Sequence, residues 1–179
     1  KVITNAIQTQ ATQYLTTVDA STATGTLDID ASNATTALTM TGPSSKATTL
    51  AGGSGADTIT TGSAADSIVG NGGNDSITSG GGADSIDAGG GADILTPGEG
   101  ADSIDGGDGR DTYYLGGEAT QLADQVQITS VYGSSSDSGR VAVSGDDNDT
   151  GEDVIHGFKW GTDTILVTTT SVGGFAHAT

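Results

Sequence analysis

Large apolar residues are sparse along this chain, and where they occur they keep a fixed period. From Gly52 onward one stands every nine residues: Ile59, Ile68, Ile77, Ile86, Leu95, Ile104 and Tyr113. Two places before each stands an aspartate: Asp57, Asp66, Asp75, Asp84, Asp93, Asp102 and Asp111. Cut at Gly52, the stretch reads GGSGADTIT, TGSAADSIV, GNGGNDSIT, SGGGADSID, AGGGADILT, PGEGADSID, GGDGRDTYY. Seven units in phase exclude compositional accident, and such a period marks a stacked repeat architecture.

Each unit divides into two halves with different physics. The glycine-rich six residues can turn sharply, because glycine accepts positive φ at no steric cost. The remaining three carry one apolar residue between polar ones, a minimal strand with one inward side chain. Two units, 18 residues, make one coil with a strand on each face. Stacking coils at ~4.8 Å aligns every second aspartate. One row holds Asp57, Asp75, Asp93 and Asp111, the other Asp66, Asp84 and Asp102. Carboxylates ~5 Å apart repel by ~1 kcal/mol in water and ~3–4 kcal/mol near a protein surface. A divalent hard cation between turns reverses that sign. Ca²⁺, which takes six to eight oxygens including backbone carbonyls, fits better than Mg²⁺. The two rows predict about five inter-turn sites.

Before the repeat the rhythm is eleven. Val18, Ile29 and Met40 are eleven apart, as are Leu27 and Leu38, with Thr16 in register. The alternation in Leu27/Ile29 and Leu38/Met40 predicts short strands. These are expected to be wider, calcium-free coils leading into the repeat, with Leu50 already inward.

Composition and charge narrow the function. Of 179 residues 30 are glycine, and with 29 Thr and 18 Ser these make 43% of the chain. Apolar residues reach only 33% and aromatics 4%, so thin layers of small groups are expected instead of a centred core. Five basic against 23 acidic residues give −18, which excludes electrostatic binding to nucleic acid or anionic membrane and favours cations. There is no cysteine, hence no disulfide and no thiolate metal site. No apolar run of spanning length and no signal-peptide pattern is present, so no transmembrane segment is expected. The start at Lys1 and the uncapped end suggest a piece of something longer.

The nonapeptide G-G-x-G-x-D-x-U-x resembles that of the RTX (repeat-in-toxin) family. The resemblance implies an all-β, right-handed parallel β-roll binding Ca²⁺ between turns. It also implies export by the type I secretion machinery, unfolded in a low-calcium cytoplasm and folding outside. Carried over, the seven aspartates are side-chain ligands, joined by carbonyls from the turns around Gly52, Gly70 and Gly106. One unit departs: Thr61-Gly62-Ser63-Ala64-Ala65-Asp66 has lost two family glycines, which puts the sites touching it in doubt. Thr/Ala-rich coils joined to RTX units resemble bacterial surface-layer (S-layer) proteins of the RTX type.

After the repeat the phase breaks, because position 120 is Thr. QVQITSVY and RVAVSG read as strands of a closing sheet, with GSSSDSG a loop between them. EDVIHGFKWGTDTILV resembles the segment that often caps RTX rolls, through Asp153, Ile155, Phe158, Gly161, Asp163 and Ile165. A cap is needed because a last strand exposes unpaired backbone groups. Trp160, Phe158 and Tyr132 are the large side chains available for it.

Other chemistry is thinly represented. Asp146, Asn148 and Thr150 before Gly151 imitate the start of an EF-hand loop, but the twelfth position is Gly157 instead of Glu. A separate calcium site and a solvated acidic loop both remain open there. His156 and His177 have no H-E-x-x-H context, and His156 is expected to pack in the cap. No G-x-S-x-G elbow occurs, so no enzyme activity is expected. Arg110 is read as a tolerated exposed residue, and the sequons at Asn33 and Asn148 mean little in a bacterial chain.

The resulting expectation has three parts: Thr/Ala-rich coils over 1–51, a calcium β-roll over 52–114, and a β-rich capping segment over 115–179. The expected function is a structural segment of a secreted, cell-surface S-layer protein. Its partners would be calcium and either further copies or other segments of the same protein. The alternatives are the non-catalytic calcium-binding module of a larger RTX enzyme, or an RTX adhesin, including an ice-binding one. Ice would need a flat array of outward threonines, whereas the outward positions read as mixed Ser, Thr, Asp and Ala.

Overall fold

The computed structural model describes residues 6–8, 15–115, 124–131, 141–143, 153–158 and 162–170. Among these there is no helix, and so none long and apolar enough to cross a membrane. Two eight-stranded sheets take alternate strands from the chain up to Gln125–Val131, after which Val141–Val143 and Asp153–His156 both join the second. The first sheet runs Ala6–Gln8, Leu27–Asp30, Thr48–Ala51, Ser67–Val69, Ser85–Asp87, Ser103–Asp105, Gln125–Val131 and Thr164–Thr170. The second runs Thr17–Asp19, Thr39–Thr41, Thr58–Thr60, Ser76–Thr78, Ile94–Thr96, Thr112–Tyr114, Asp153–His156 and Val141–Val143. Every pairing is parallel, so the chain is a β-solenoid whose coils, up to Gln125–Val131, each place one strand in each sheet.

Register follows the apolar period. Ile59 stacks on Ile77 and Ile68 on Ile86, each 18 residues on. In the first coils Val18 stacks on Met40 and Ile29 on Leu50, so the coil there is 22 or 21 residues, as the eleven-residue rhythm predicts. Ile29, Met40, Leu50, Ile59, Ile68, Ile77, Ile86, Leu95, Ile104 and Tyr113 are all buried and form one continuous file of core side chains between the sheets. With one large inward residue per strand, the interior stays thin, which explains how a chain with so few large apolar residues closes a core.

The two kinds of coil turn by different means. In the wide coils the repeated Asp-Ala-Ser closes the corner. Asp19 Oδ1 accepts the Ser21 N–H at 3.0 Å, and Asp30 Oδ1 accepts both the N–H and the hydroxyl of Ser32 at 3.0 and 2.6 Å. The serine hydroxyl, then its N–H, holds each of these exposed carboxyls below the usual carboxylate range. In the narrow coils glycine makes the corner. Gly91 has φ 146°, and a Cβ there would run into the Gly73 carbonyl of the coil before it.

After residue 115 the described strands, expected to form a closing sheet, lengthen the same two sheets in parallel. Gln125–Val131 stacks on Ser103–Asp105 and then on Thr164–Thr170, while Asp153–His156 stacks on Thr112–Tyr114. Within the segment expected as a cap, Ile155 is buried, and Phe158 and Ile165 pack against the file of core residues. Trp160 and Tyr132 lie outside the described residues.

Candidate calcium column

Each repeat aspartate sits where a strand begins, and the register of the sheets carries it into the interior. Asp57, Asp66, Asp75, Asp84, Asp93, Asp102 and Asp111 are all buried, at most 4% exposed. Their burial follows from one hydrogen bond repeated along the stack, in which the carboxylate reaches back to the aspartate of the coil before. Asp75 Oδ1 accepts the Asp57 N–H at 2.7 Å, Asp93 that of Asp75 at 2.7 Å, and Asp111 that of Asp93 at 2.9 Å. In the second row Asp84 accepts from Asp66 at 2.8 Å and Asp102 from Asp84 at 2.9 Å. Both predicted rows are therefore present. At their N-terminal ends Leu38 and Thr48 donate to Asp57 and Asp66, each at 2.8 Å.

That bond uses one oxygen of each carboxylate. The other, Oδ2, is buried and has no hydrogen-bond partner in Asp66, Asp75, Asp84 and Asp93. Such atoms are rare in native interiors, and each calls for a cause. Burial is the first electrostatic consequence. It pushes the Asp75 carboxyl up to about 7, with the charges of Asp93 and Asp57 adding to the effect despite the Asp57 N–H. It pushes Asp93 up to about 6, helped by Asp111. Asp84 is raised too, by burial, against the opposing pull of the Asp66 N–H.

The oxygens converge where glycine leaves room. A Cβ on Gly70 would meet both Asp75 Oδ2 and the Ala88 carbonyl of the next coil, and one on Gly52 would meet Asp57 Oδ2 and, at 2.8 Å, the Gly70 carbonyl. At Gly106 the same space is faced by Asp111 Oδ2 and by the Tyr113 hydroxyl, which accepts the Gly106 N–H at 3.1 Å. Among the described residues no group of three or more His, Cys, Asp or Glu side chains could hold a metal by itself. A hard cation that completes its shell with carbonyl and hydroxyl oxygens suits this donor set, and Ca²⁺ is such a cation.

The irregular turn is built differently. Thr61 and Ser79 occupy the place of Gly52 and Gly70 in the other row, and their hydroxyls donate to the carbonyls of Ser79 and Pro97 at 2.8 and 2.7 Å.

Sequence reading stopped the rows at Asp111, and the structure continues one of them. Asp124 Oδ1 accepts the Asp102 N–H at 3.1 Å, and Asp163 Oδ1 accepts the Asp124 N–H at 3.4 Å. Asp124 is buried at 3%. Its spacing of 22 from Asp102 hides it from a search at nine. The signal that could have found it is the D-x-U triplet Asp124-Gln125-Val126, with Val126 in register with Ile104. Asp153 likewise stands in register with Asp111, since Val154 pairs with Thr112.

Asp146, Asn148, Thr150 and His177 lie outside the described residues. His156, expected to pack in the cap, is half-buried on the outer side of the second sheet, stacked on Tyr114 with ring centroids 4.9 Å apart. Arg110 is exposed, as expected.

A parallel solenoid with aspartates buried in file along its turns defines the class: this is a β-solenoid of the β-roll kind. The family model for the RTX calcium-binding nonapeptide repeat matches four times, at residues 45–77, 60–95, 70–102 and 88–122. The chain thus carries RTX calcium-binding repeats, a fold that is typically non-catalytic. No curated protein and no solved structure matches it.

Proposed function

We propose that this chain is a calcium-dependent structural segment of a secreted bacterial surface-layer protein, folding outside the cell and supporting lattice assembly. The observation that carries the calcium part is the run of buried Oδ2 atoms without hydrogen-bond partners in Asp66, Asp75, Asp84 and Asp93. Asp66, Asp75, Asp84, Asp93, Asp102 and Asp111 would hold the ions, with carbonyls of the turns at Gly70 and Gly106 completing the shells. The bound cation would neutralise carboxylates that repel one another and so favour stacking of the nonapeptide coils near neutral pH. The lattice part is supported by the continuity of wide Thr/Ala coils and nonapeptide coils in one pair of sheets.

A calcium titration from chelator excess to millimolar, followed by size-exclusion chromatography with light scattering, tests both parts. Compaction followed by growth into large, chelator-reversible assemblies is expected. A compact monomer at every calcium level would replace the lattice reading with that of a passive module of a larger enzyme. An unchanged radius would remove the calcium reading as well.

A second reading, an adhesin, is favoured by the outer face of the second sheet. Thr39, Thr58 and Ser76 form one outward file, and Thr41, Thr60, Thr78 and Thr96 the next. The outward acids Asp28, Asp30, Asp87 and Asp105 lie on the first sheet, and on the second Asp19 stands next to Thr41 at the start of the threonine file. Loss of adsorption to ice or to a crystalline polysaccharide on Thr60→Asp plus Thr78→Asp would support this reading, and no adsorption by the unmodified chain would dismiss it.

A further inference from the structure

The seven nonapeptides do not share one turn. In the five from Gly70 onward the second and fourth positions are both left-handed: Asn71 and Gly73 (φ 75° and 120°), Gly80 and Gly82, Gly89 and Gly91, Gly98 and Gly100, Gly107 and Gly109. In the first two units no residue has positive φ. Ala64 accounts for this in the second unit, since a residue with a Cβ resists that conformation. The first unit has glycine at both places, Gly53 and Gly55, and still turns the other way. Its neighbour dictates this. It stacks on the wide-coil corner Ala31–Ala34, with the Ser54 N–H on the Ala34 carbonyl at 2.8 Å and Gly53 against that same carbonyl.

In the first unit one N–H is turned inward, which the second unit, with Asp66 Oδ2 unbonded, does not share. Gly53 N–H points inward and donates to Asp57 Oδ2 at 2.8 Å, while Leu38 N–H donates to Oδ1 at 2.8 Å. Both oxygens of Asp57 therefore face backbone donors, whose positive ends compensate its charge and oppose a cation approaching the same lone pairs. Asp75 and Asp93, in the same row, keep Oδ2 unbonded. The Gly70 carbonyl faces Gly52 beside Asp57 Oδ2, as the Ala88 carbonyl faces Gly70 beside Asp75 Oδ2, but only the earlier turn adds an N–H to the pair.

We propose that in this row the calcium column starts with the turn at Gly70, and that Asp57 is a calcium-independent carboxylate seating the first nonapeptide on the wide coils. This rests on the calcium reading of the roll and divides its aspartates by function. The first coil is then a preformed platform, ordered by N–H donors, on which the first calcium-dependent coil can stack.

The test is calcium stoichiometry, by equilibrium dialysis with ⁴⁵Ca²⁺, for the unmodified chain, Asp57→Asn and Asp93→Asn, together with a crystal structure of the unmodified chain in calcium. Asp57→Asn is expected to bind as many ions as the unmodified chain and to melt at a lower temperature, whereas Asp93→Asn binds fewer. Loss of an ion in Asp57→Asn, or an ion within roughly 2.6 Å of either Asp57 oxygen in the crystal, overturns the proposal. If Asp57→Asn does not fold, the crystal alone decides. No ion at any turn and no uptake by the unmodified chain would overturn the calcium reading itself, and this inference with it.

Discussion

The Asp75 backbone N–H donates to the Asp93 carboxylate across one coil at 2.7 Å, while the other oxygen of Asp93 stays buried without a hydrogen-bond partner. One side chain thus does two things: it fixes the register of successive coils and presents an anion to the interior. Replacing Asp93 with Asn keeps an acceptor for the register bond and removes the anion. The calcium midpoint of folding, read by far-ultraviolet circular dichroism, is expected to rise several-fold. A lost site at hundredfold calcium excess corresponds to about 2.7 kcal/mol. Asp66→Asn, in the irregular turn, is expected to shift it less, and equal midpoints would remove the distinction between these turns.

Acid and calcium should act on the same carboxyls with opposite results. The folded chain raises Asp75 to about 7 and Asp93 to about 6, above the ordinary value of 3.8. Without calcium the folded state therefore binds more protons than the unfolded one. The stabilisation is complete below the unfolded value and is lost as pH rises through 6–7. In chelator, lowering pH from 8 to 5 is expected to increase the folded fraction, and over the same range calcium affinity is expected to fall. A folded fraction that drops on acidification in chelator would contradict the burial of these groups.

Ile94 and Leu95 are neighbours with opposite fates, one 47% exposed on the outer face and the other fully buried. Leu95→Ala is expected to cost about 2–5 kcal/mol in calcium-loaded thermal or denaturant unfolding, and Ile94→Ala about 0.5 kcal/mol or less. Comparable losses would mean that the strand register is wrong by one residue.

Glycines in stacked turns should differ as sharply. Gly91 has φ 146° and its Cβ would strike the Gly73 carbonyl, whereas a Cβ on Gly72 would meet nothing nearer than 3.9 Å and its φ is not positive. Gly91→Ala is expected to destabilise by more than about 1 kcal/mol and Gly72→Ala by clearly less, measured as melting temperature at fixed calcium.

Beyond the nonapeptides, Asp124→Ala deprives the Asp102 N–H of its acceptor. A loss of about 1–3 kcal/mol and faster hydrogen exchange at Asp102 are expected. Unchanged exchange there would show that the row ends at Asp102.

Much of this molecule is legible in sequence because its period is enforced by hard contacts. The inward file from Ile59 to Tyr113 follows from D-x-U, and the wide coils from the eleven-residue spacing of Val18, Ile29 and Met40. Asp124 and Asp163 escaped because longer corners break the period while leaving the register intact. The unlike turn at Gly53 escaped because glycine permits both hands, so the choice belongs to the coil beneath it. The outward file Thr41, Thr60, Thr78 and Thr96 was available from alternate units, and only the paired sheets make it plain.

The parallel ladders have a mechanical consequence. Successive coils are joined by backbone hydrogen bonds directed along the stack, and each strand pairs only with its immediate neighbours. A pull on one end therefore loads a single coil at a time. The chain should yield in steps, each nonapeptide coil releasing 18 residues of slack, on the order of 60 Å at full extension. Ions bridging coils would set the force of each step, which makes the roll a serial fuse whose strength is adjusted by the medium around it.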